Sequence, residues 1–277
     1  MASGVLGPAF DDSDVEALSN EVLPKYLSFF NALAIDRLVM APKAAVLACG
    51  PMASSLVEAV ADRLPGAIIR GMEPSQAAID AALERTTCMP PNAELEVLTR
   101  LPLDHPKGSF THAIVVHPLS GAAARLLLLK EAFRVLVPAG QLLFCLPLRG
   151  SCPEIADMLR EFSLKHDNPK FAEAIEIASQ SRPTPETLTN DLERLGFTDV
   201  GVDVELLSVA FDTGKDFANH PLFRLIVAPE ITALIGDPAE ATVSAALDYA
   251  KTAIAKYWSE GQFDLTVNLG CAVARKP

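Results

Sequence analysis

The sequence predicts an α/β fold: a doubly wound, mostly parallel seven-stranded sheet with an antiparallel C-terminal edge strand and helical additions. Three observations predict it. Short apolar runs alternate with amphipathic helical segments through residue 148, the pattern of a parallel sheet with right-handed crossovers. Two long strand-like runs, 199–211 and 263–277, lie on either side of a helical stretch near the end. Half of the 277 residues are hydrophobic, which is enough for a sizeable core.

The elements of the chain follow from the spacing of its apolar residues. Helical spacing over 14–39 is interrupted by Pro24, which predicts two helices at the start. Apolar runs then predict five strands, at 44–49, 66–73, 93–98, 111–117 and 141–148. Helices are predicted between these strands at 53–64, 74–85 and 122–137, and further helices at 153–180 and 184–197. Ser75 and Thr184 are placed to cap two of them.

Charge and cysteine usage narrow the class of protein. The net charge of −12 argues against nucleic acid or an anionic membrane as a partner, because both reward clustered Lys and Arg. Five scattered cysteines, never spaced as CxxC, predict neither a disulfide framework nor a zinc site. Reduced thiols fit a cytoplasmic protein, and no apolar run is long enough to span a bilayer.

The stretch KAAVLACGPMASSLVEAVADRL, 43–64, is the first candidate for chemistry. A strand, a turn and a helix in this order offer backbone N–H groups to a nucleotide-like ligand at the carboxyl end of the strand. Gly50 lies in the turn, and Glu73 follows 23 residues later at the end of the second strand. An acid at that distance is suited to accept hydrogen bonds from a ribose.

The chain resembles class I S-adenosylmethionine-dependent methyltransferases of the UbiE/type 11 kind. AVLACGPMASSL stands where that family has its glycine loop, and GMEPSQAAIDAA resembles the block with the ribose-binding acid. LPLDHPKGSF, KEAFRVLVPAGQLLFCLP and TPETLTNDLERLGFTDVGVDV are similar to three later blocks, in the same order. The resemblance covers nearly the whole chain and implies a class I methyltransferase-like sheet with S-adenosylmethionine as cofactor.

The resemblance also implies a division of the chain and a set of site residues. We expect a single domain over 1–277, with N-terminal cap helices at 1–40, a cofactor-binding core at 41–148, and a C-terminal half at 149–277 that carries a helical lid insert at about 213–261. The implied cofactor residues are Ala48, Cys49, Gly50, Met52, Glu73, Pro74, Val97, Leu98 and His117. His117 is also the candidate catalytic base. Residues expected at the substrate or the lid are Tyr26, Arg149 and His220, and no metal site is expected.

Departures from the family pattern leave the function open. Ala48 and Met52 stand at two glycine positions, Val46 replaces an acid, and Val97-Leu98 replaces the Asp-Ala pair that contacts adenine. Each lost hydrogen bond to a polar ligand weakens binding by about 1–2 kcal/mol. We therefore weigh a small-molecule methyltransferase against a catalytically inactive relative that serves as a protein-interaction or scaffold module, with a homodimer among the expected assemblies. A nicotinamide dehydrogenase is a distant third, since it would require a full GxGxxG turn.

Each candidate side chain also has a purely structural interpretation. His117 could bond backbone at a strand end, and Arg149 could be a solvated loop residue. His220 could lie on a surface helix or a dimer contact, and Tyr26 could serve packing alone.

Overall fold

The computed structural model describes residues 7–85, 90–236 and 240–277. Its centre is one seven-stranded sheet in the order β3-β2-β1-β4-β5-β7-β6. The strands are β1 Ala45–Cys49, β2 Ile68–Glu73, β3 Ala93–Val97, β4 Phe110–Val116, β5 Leu136–Pro147, β6 Thr198–Phe211 and β7 Phe263–Arg275. The first five are mutually parallel, and β7 runs antiparallel to both β5 and β6. The predicted α/β fold class is thus confirmed.

Helices cover both faces of this sheet. Those of the first half are α1 Asp12–Ala17, a π-helix π1 Leu18–Leu27, α2 Ser28–Asp36, α3 Ala53–Arg63, α4 Gln76–Arg85 and α5 Ala122–Val135. Those of the second half are α6 Pro153–Lys165, α7 Pro169–Ser181, α8 Pro185–Arg194, α9 Gly214–Asn219, a π-helix π2 Phe223–Val227, α10 Ala228–Ile235 and α11 Glu240–Tyr257. No helix within the described ranges is both long and apolar enough to cross a membrane.

Proline at position 24 does not break the N-terminal helix, contrary to the sequence prediction. Pro24 lies inside π1, which continues directly into α2. A π-helix bonds each N–H one residue further back than an α-helix, so the wider turn accommodates a ring that would clash in a regular α-helix. The Pro24 carbonyl remains in use, because it accepts a hydrogen bond from the Ser28 hydroxyl at 3.1 Å.

The C-terminal strand occupies an inner position in the antiparallel edge. β7 lies between β5 and β6, so the outermost strand is β6 and the last strand along the chain is one place further in. Cys145 of β5 faces Cys271 of β7 directly across this pairing. Both are buried free thiols, as are Cys49 and Cys152; Cys88 lies outside the described residues.

Two hydrophobic cores lie on the two faces of the sheet. The larger packs the N-terminal helices, α3, α6, α7 and the helices after β6 against one face. The smaller packs α5 and α8 against the other. The predicted caps hold: the Thr184 side chain accepts from the Thr187 N–H at 3.1 Å, and the Ser75 hydroxyl accepts from the Ala78 N–H at 3.4 Å. The larger core reaches the carboxyl ends of β1 and β4, where the sequence predicts a ligand.

Candidate functional site

The backbone packing of the protein requires a glycine at position 50, in the turn after β1. Gly50 has φ +154°, and a Cβ placed on it would lie 2.4 Å from the Val116 carbonyl oxygen at the end of β4. Only glycine tolerates this approach. The turn after β1 therefore rests directly on the backbone of the neighbouring strand. A close approach between two strands is enough to account for Gly50.

Met52 is turned into the core. Its backbone is left-handed, with φ 61° and ψ 42°, and it directly precedes α3. A non-glycine residue in this region is strained, so surrounding contacts must hold it there. The side chain is buried and belongs to the larger core. Ala48 and Cys49, which precede the turn, are buried as well, and burial raises the pKa of the Cys49 thiol to about 12.

Glu73 uses its carboxylate to bond the loop. The side chain is wholly buried, and Oε1 accepts the backbone N–H of Ser54 at 2.7 Å. Ser54 belongs to the first turn of α3, whose N–H groups have no partner within the helix. The acid that the sequence assigns to a ribose thus caps the helix that follows the glycine turn. Pro74, the next residue, is half-buried.

The third strand ends beside this acid. Val97 is the β3 partner of Glu73 in the sheet register and is partly buried. Leu98 follows, and its N–H bonds the Glu73 carbonyl at 2.9 Å. The Leu98 side chain is buried in the smaller core, on the opposite face of the sheet from Met52. Of the two residues that replace the family's Asp-Ala pair, Leu98 is therefore a packing residue here.

His117 and Tyr26 form a buried polar pair over the end of β4. Tyr26 Oη and His117 Nε2 share a hydrogen bond of 2.8 Å, and the Phe30 ring packs edge-on against the imidazole, with centroids 4.7 Å apart. Burial lowers the pKa of His117 and raises that of the Tyr26 phenol well above its ordinary value. Both groups are therefore neutral at pH 7. The His117 Nδ1 atom is buried and has no hydrogen-bond partner among the described residues.

A buried ion pair completes the site, and sequence reasoning missed it. Arg182 Nε donates to Glu230 Oε1 at 3.1 Å, and its Nη1 donates to the Ser151 carbonyl at 2.6 Å. Burial disfavours both charges, yet their mutual attraction dominates: the pKa of Arg182 is raised and that of Glu230 is lowered. The signal in the sequence was Glu230 itself, a lone carboxylate in the apolar stretch LIVAPEITALI.

Two of the predicted site residues lie elsewhere. Arg149 is exposed and donates from Nη2 to the Gln180 carbonyl at 2.7 Å. His220 is half-buried; its Nδ1 accepts the Leu222 N–H at 3.1 Å and its ring packs on Phe211, with centroids 5.2 Å apart. Neither residue has a hydrogen bond or ring contact with Tyr26 or His117 among the described residues.

Comparison with solved structures identifies the fold. Phosphoethanolamine N-methyltransferase 2 from Haemonchus contortus, solved with S-adenosylhomocysteine, superposes with a TM-score of 0.59 at 14% identity. The match covers 97% of this chain, which spans only 58% of that enzyme. The partner of the Trm112 methyltransferase activator from Haloferax volcanii has a TM-score of 0.54 at 15% identity, covering 98% of this chain and 100% of that one.

A third similar structure is the cyclase SpnF, with a TM-score of 0.50 at 16% identity, covering 100% of this chain and 99% of that one. No family model and no curated protein matches the chain. The chain has the fold of class I S-adenosylmethionine-dependent methyltransferases. The presence of a cyclase among the similar structures illustrates that this fold does not by itself determine the reaction.

The residues present do not fit S-adenosylmethionine in the way the family fold implies. The ribose-type acid Glu73 is buried and committed to the Ser54 N–H. Met52 fills space beside the turn, and Tyr26 with His117 fills space over β4. Gly50, which would admit a ligand, is in contact with Val116 instead.

Proposed function

We propose that this chain is a catalytically inactive methyltransferase-fold protein that serves as a protein-interaction or scaffold module. The observation that carries the proposal is the wholly buried Glu73 carboxylate, bonded to the Ser54 N–H at 2.7 Å. A ribose could reach this carboxylate only by displacing the groups that bury it, which opposes binding. A similar structure bound to the activator Trm112 supports a protein partner for a chain of this fold.

Calorimetric titration of the purified chain with S-adenosylmethionine and S-adenosylhomocysteine tests the proposal. We expect no binding heat and no melting shift at millimolar ligand. Micromolar binding that is lost in Glu73→Gln would overturn the proposal, because this variant keeps the volume of the side chain. The melting temperature of Glu73→Gln without ligand shows whether it folds.

The second candidate is a methyltransferase that acts on a small molecule. Backbone strain favours it: of the seven non-glycine residues with positive φ in the described ranges, Met52, His117 and Cys152, at 61°, 44° and 55°, follow the ends of β1, β4 and β5. Strained non-glycine residues collect at functional sites. In this proposal the 41–148 core binds S-adenosylmethionine once Tyr26 swings away, His117 acts as base, and the 213–261 insert, with Arg149 and His220, covers the substrate. Tyr26→Ala would then bind S-adenosylhomocysteine more tightly than the wild type, and equal absence of binding in both would exclude it.

A further inference from the structure

An acidic groove separates the first helix from α4. Two carboxylates of α1, Asp12 and Glu16, line one wall, and two of α4, Asp80 and Glu84, line the other. The groove encloses about 600 Å³, and small apolar side chains form part of its lining: Val15, Ala77 and Ala81. Its size is that of a site for a small molecule.

The four carboxylates carry the same charge and lie on exposed side chains. Each pair is spaced i,i+4 on its own helix, where like charges destabilise the helix. Among the Lys, Arg and His side chains that the structure describes, none forms an ion pair with any of the four. Asp80 Oδ1 accepts a hydrogen bond of 2.8 Å from the side-chain amide of Gln76, which carries no charge. The groove therefore presents uncompensated negative charge.

A second chamber adjoins the groove and holds an unused polar atom. The two cavities share Ser19, and the second encloses about 290 Å³ between π1, α3 and α4. Its lining includes Ser54 and a fifth carboxylate, Glu58. The Ser54 residue is 6% exposed, and its Oγ has no hydrogen-bond partner among the residues described. A buried hydroxyl without a partner costs stability, which a bound donor would recover.

We propose that this two-chamber groove binds a linear polycation with primary alkylammonium groups, of the aliphatic polyamine class. Ammonium groups would donate to the carboxylates and to Ser54 Oγ, while the methylene segments lie on Val15 and the alanines. A metal ion suits the site less well, since no three acidic, His or Cys side chains in the described ranges are close enough to hold one. The second chamber adjoins the strand-end site, since Met52 and Ser54 line it, but the proposal does not require a cofactor or catalysis at that site.

Calorimetric titration of the full chain with spermine at low salt tests the proposal. The test variant carries Asp12→Asn, Glu16→Gln, Asp80→Asn and Glu84→Gln. The matched control carries Glu173→Gln, Glu193→Gln, Asp212→Asn and Asp248→Asn, four exposed acids elsewhere on the chain. We expect the dissociation constant to rise at least tenfold in the test variant and less than twofold in the control. Ser54→Ala should weaken binding severalfold.

Three results would overturn the proposal: no spermine binding by the folded wild type, equal weakening in both fourfold variants, or equal competition by magnesium chloride at matched charge. The melting temperature of each variant without ligand confirms that it folds. An oligolysine peptide carries the same ammonium groups. If oligolysine binds more tightly than spermine and is weakened by the same four substitutions, the ammonium groups that the groove binds belong to a protein. If spermine binds more tightly, they belong to a free polyamine.

Discussion

The carboxylate of Glu73 and the backbone N–H of Ser54 are joined by a buried hydrogen bond of 2.7 Å. This bond connects the end of β2 to the first turn of α3. It satisfies one of the N–H groups that a helix start leaves open, and a negative charge at that place also interacts favourably with the helix dipole. The bond gives Glu73 a structural role that needs no ligand.

Replacing Glu73 should therefore affect stability before it affects any binding. Glu73→Ala leaves the Ser54 N–H without its acceptor, and we expect it to lower the free energy of unfolding by about 1–3 kcal/mol. Glu73→Gln keeps an oxygen acceptor of nearly the same shape and should cost less. Urea unfolding of the three proteins measures this. An Ala variant as stable as the wild type would contradict the capping role.

The Tyr26 hydroxyl should be important for stability because its partner is buried. Tyr26→Phe would leave His117 Nε2 without its hydrogen bond, and we expect a loss of about 1–3 kcal/mol in unfolding free energy. Tyr257→Phe is the matched control: its hydroxyl also bonds a side chain, Glu161 at 2.6 Å, but the residue is exposed. Exposed interactions contribute little, so the control should lose clearly less stability than Tyr26→Phe. Equal losses of unfolding free energy in Tyr26→Phe and Tyr257→Phe would show that burial does not make the Tyr26 hydrogen bond more important.

The ion pair between Arg182 and Glu230 should behave as a coupled unit. Glu230→Ala leaves a buried guanidinium without its counter-charge, which typically costs about 3–5 kcal/mol. The double variant Arg182→Met, Glu230→Leu removes both charges and should be clearly more stable than Glu230→Ala. A double-mutant cycle in urea measures the coupling. Additive losses from the two sites would show that the pair does not interact.

A pH-dependent contribution is expected from Glu161 on α6. Its Oε1 accepts from Lys165 Nζ and Tyr257 Oη at 2.6 Å each and from Tyr249 Oη at 2.7 Å. Hydrogen bonds from Lys165 and the two tyrosines lower the pKa of Glu161 from 4.5 to about 2. A lowered folded-state pKa stabilises the protein above the unfolded value, and this contribution fades as the pH falls from about 4.5 towards 2.

Glu161→Gln measures that contribution. The stability gap between wild type and Glu161→Gln, from urea unfolding, should be constant above pH 5 and shrink at lower pH. Glu173→Gln, at an exposed position on α7, should show no such trend. A Glu161→Gln gap that stays unchanged down to pH 2.5 would rule out the network as the cause.

The fold could be predicted from the sequence because strands and helices are indicated by local, repeated patterns of residues. Apolar runs predicted all five parallel strands, and Thr184 and Ser75 cap their helices as expected. The prediction that Pro24 breaks the N-terminal helix was wrong, because the formation of a π-helix depends on how the neighbouring side chains pack. The start of β5 was predicted at residue 141 but lies at Leu136, since pairing of Phe110 with Leu136 extends the strand through PAG.

The site was less accessible because side-chain direction is not a local property. Spacing correctly brought Glu73 to the end of β2 and His117 to the end of β4. Whether Glu73 faces a ligand or Ser54 depends on how the turn at Met52 positions the start of α3. The left-handed backbone of Met52 in that turn cannot be predicted from the residue type. The partners of His117 and Arg182, namely Tyr26 and Glu230, come from helices distant in sequence. The assignments of these side chains to a cofactor, a substrate or catalysis remain predictions.

The inner position of β7 has a consequence for synthesis on the ribosome. β6 leaves the ribosome before β7, yet its ladder is formed with β7 and with no other strand of the described sheet. Until β7 emerges, the nascent chain holds β6 apart from β5, with the backbone groups of both strands unpaired along that gap. Such edges invite pairing with other chains. This edge of the sheet is therefore completed only once β7 has emerged, and until then β5 and β6 both stay open to such pairing.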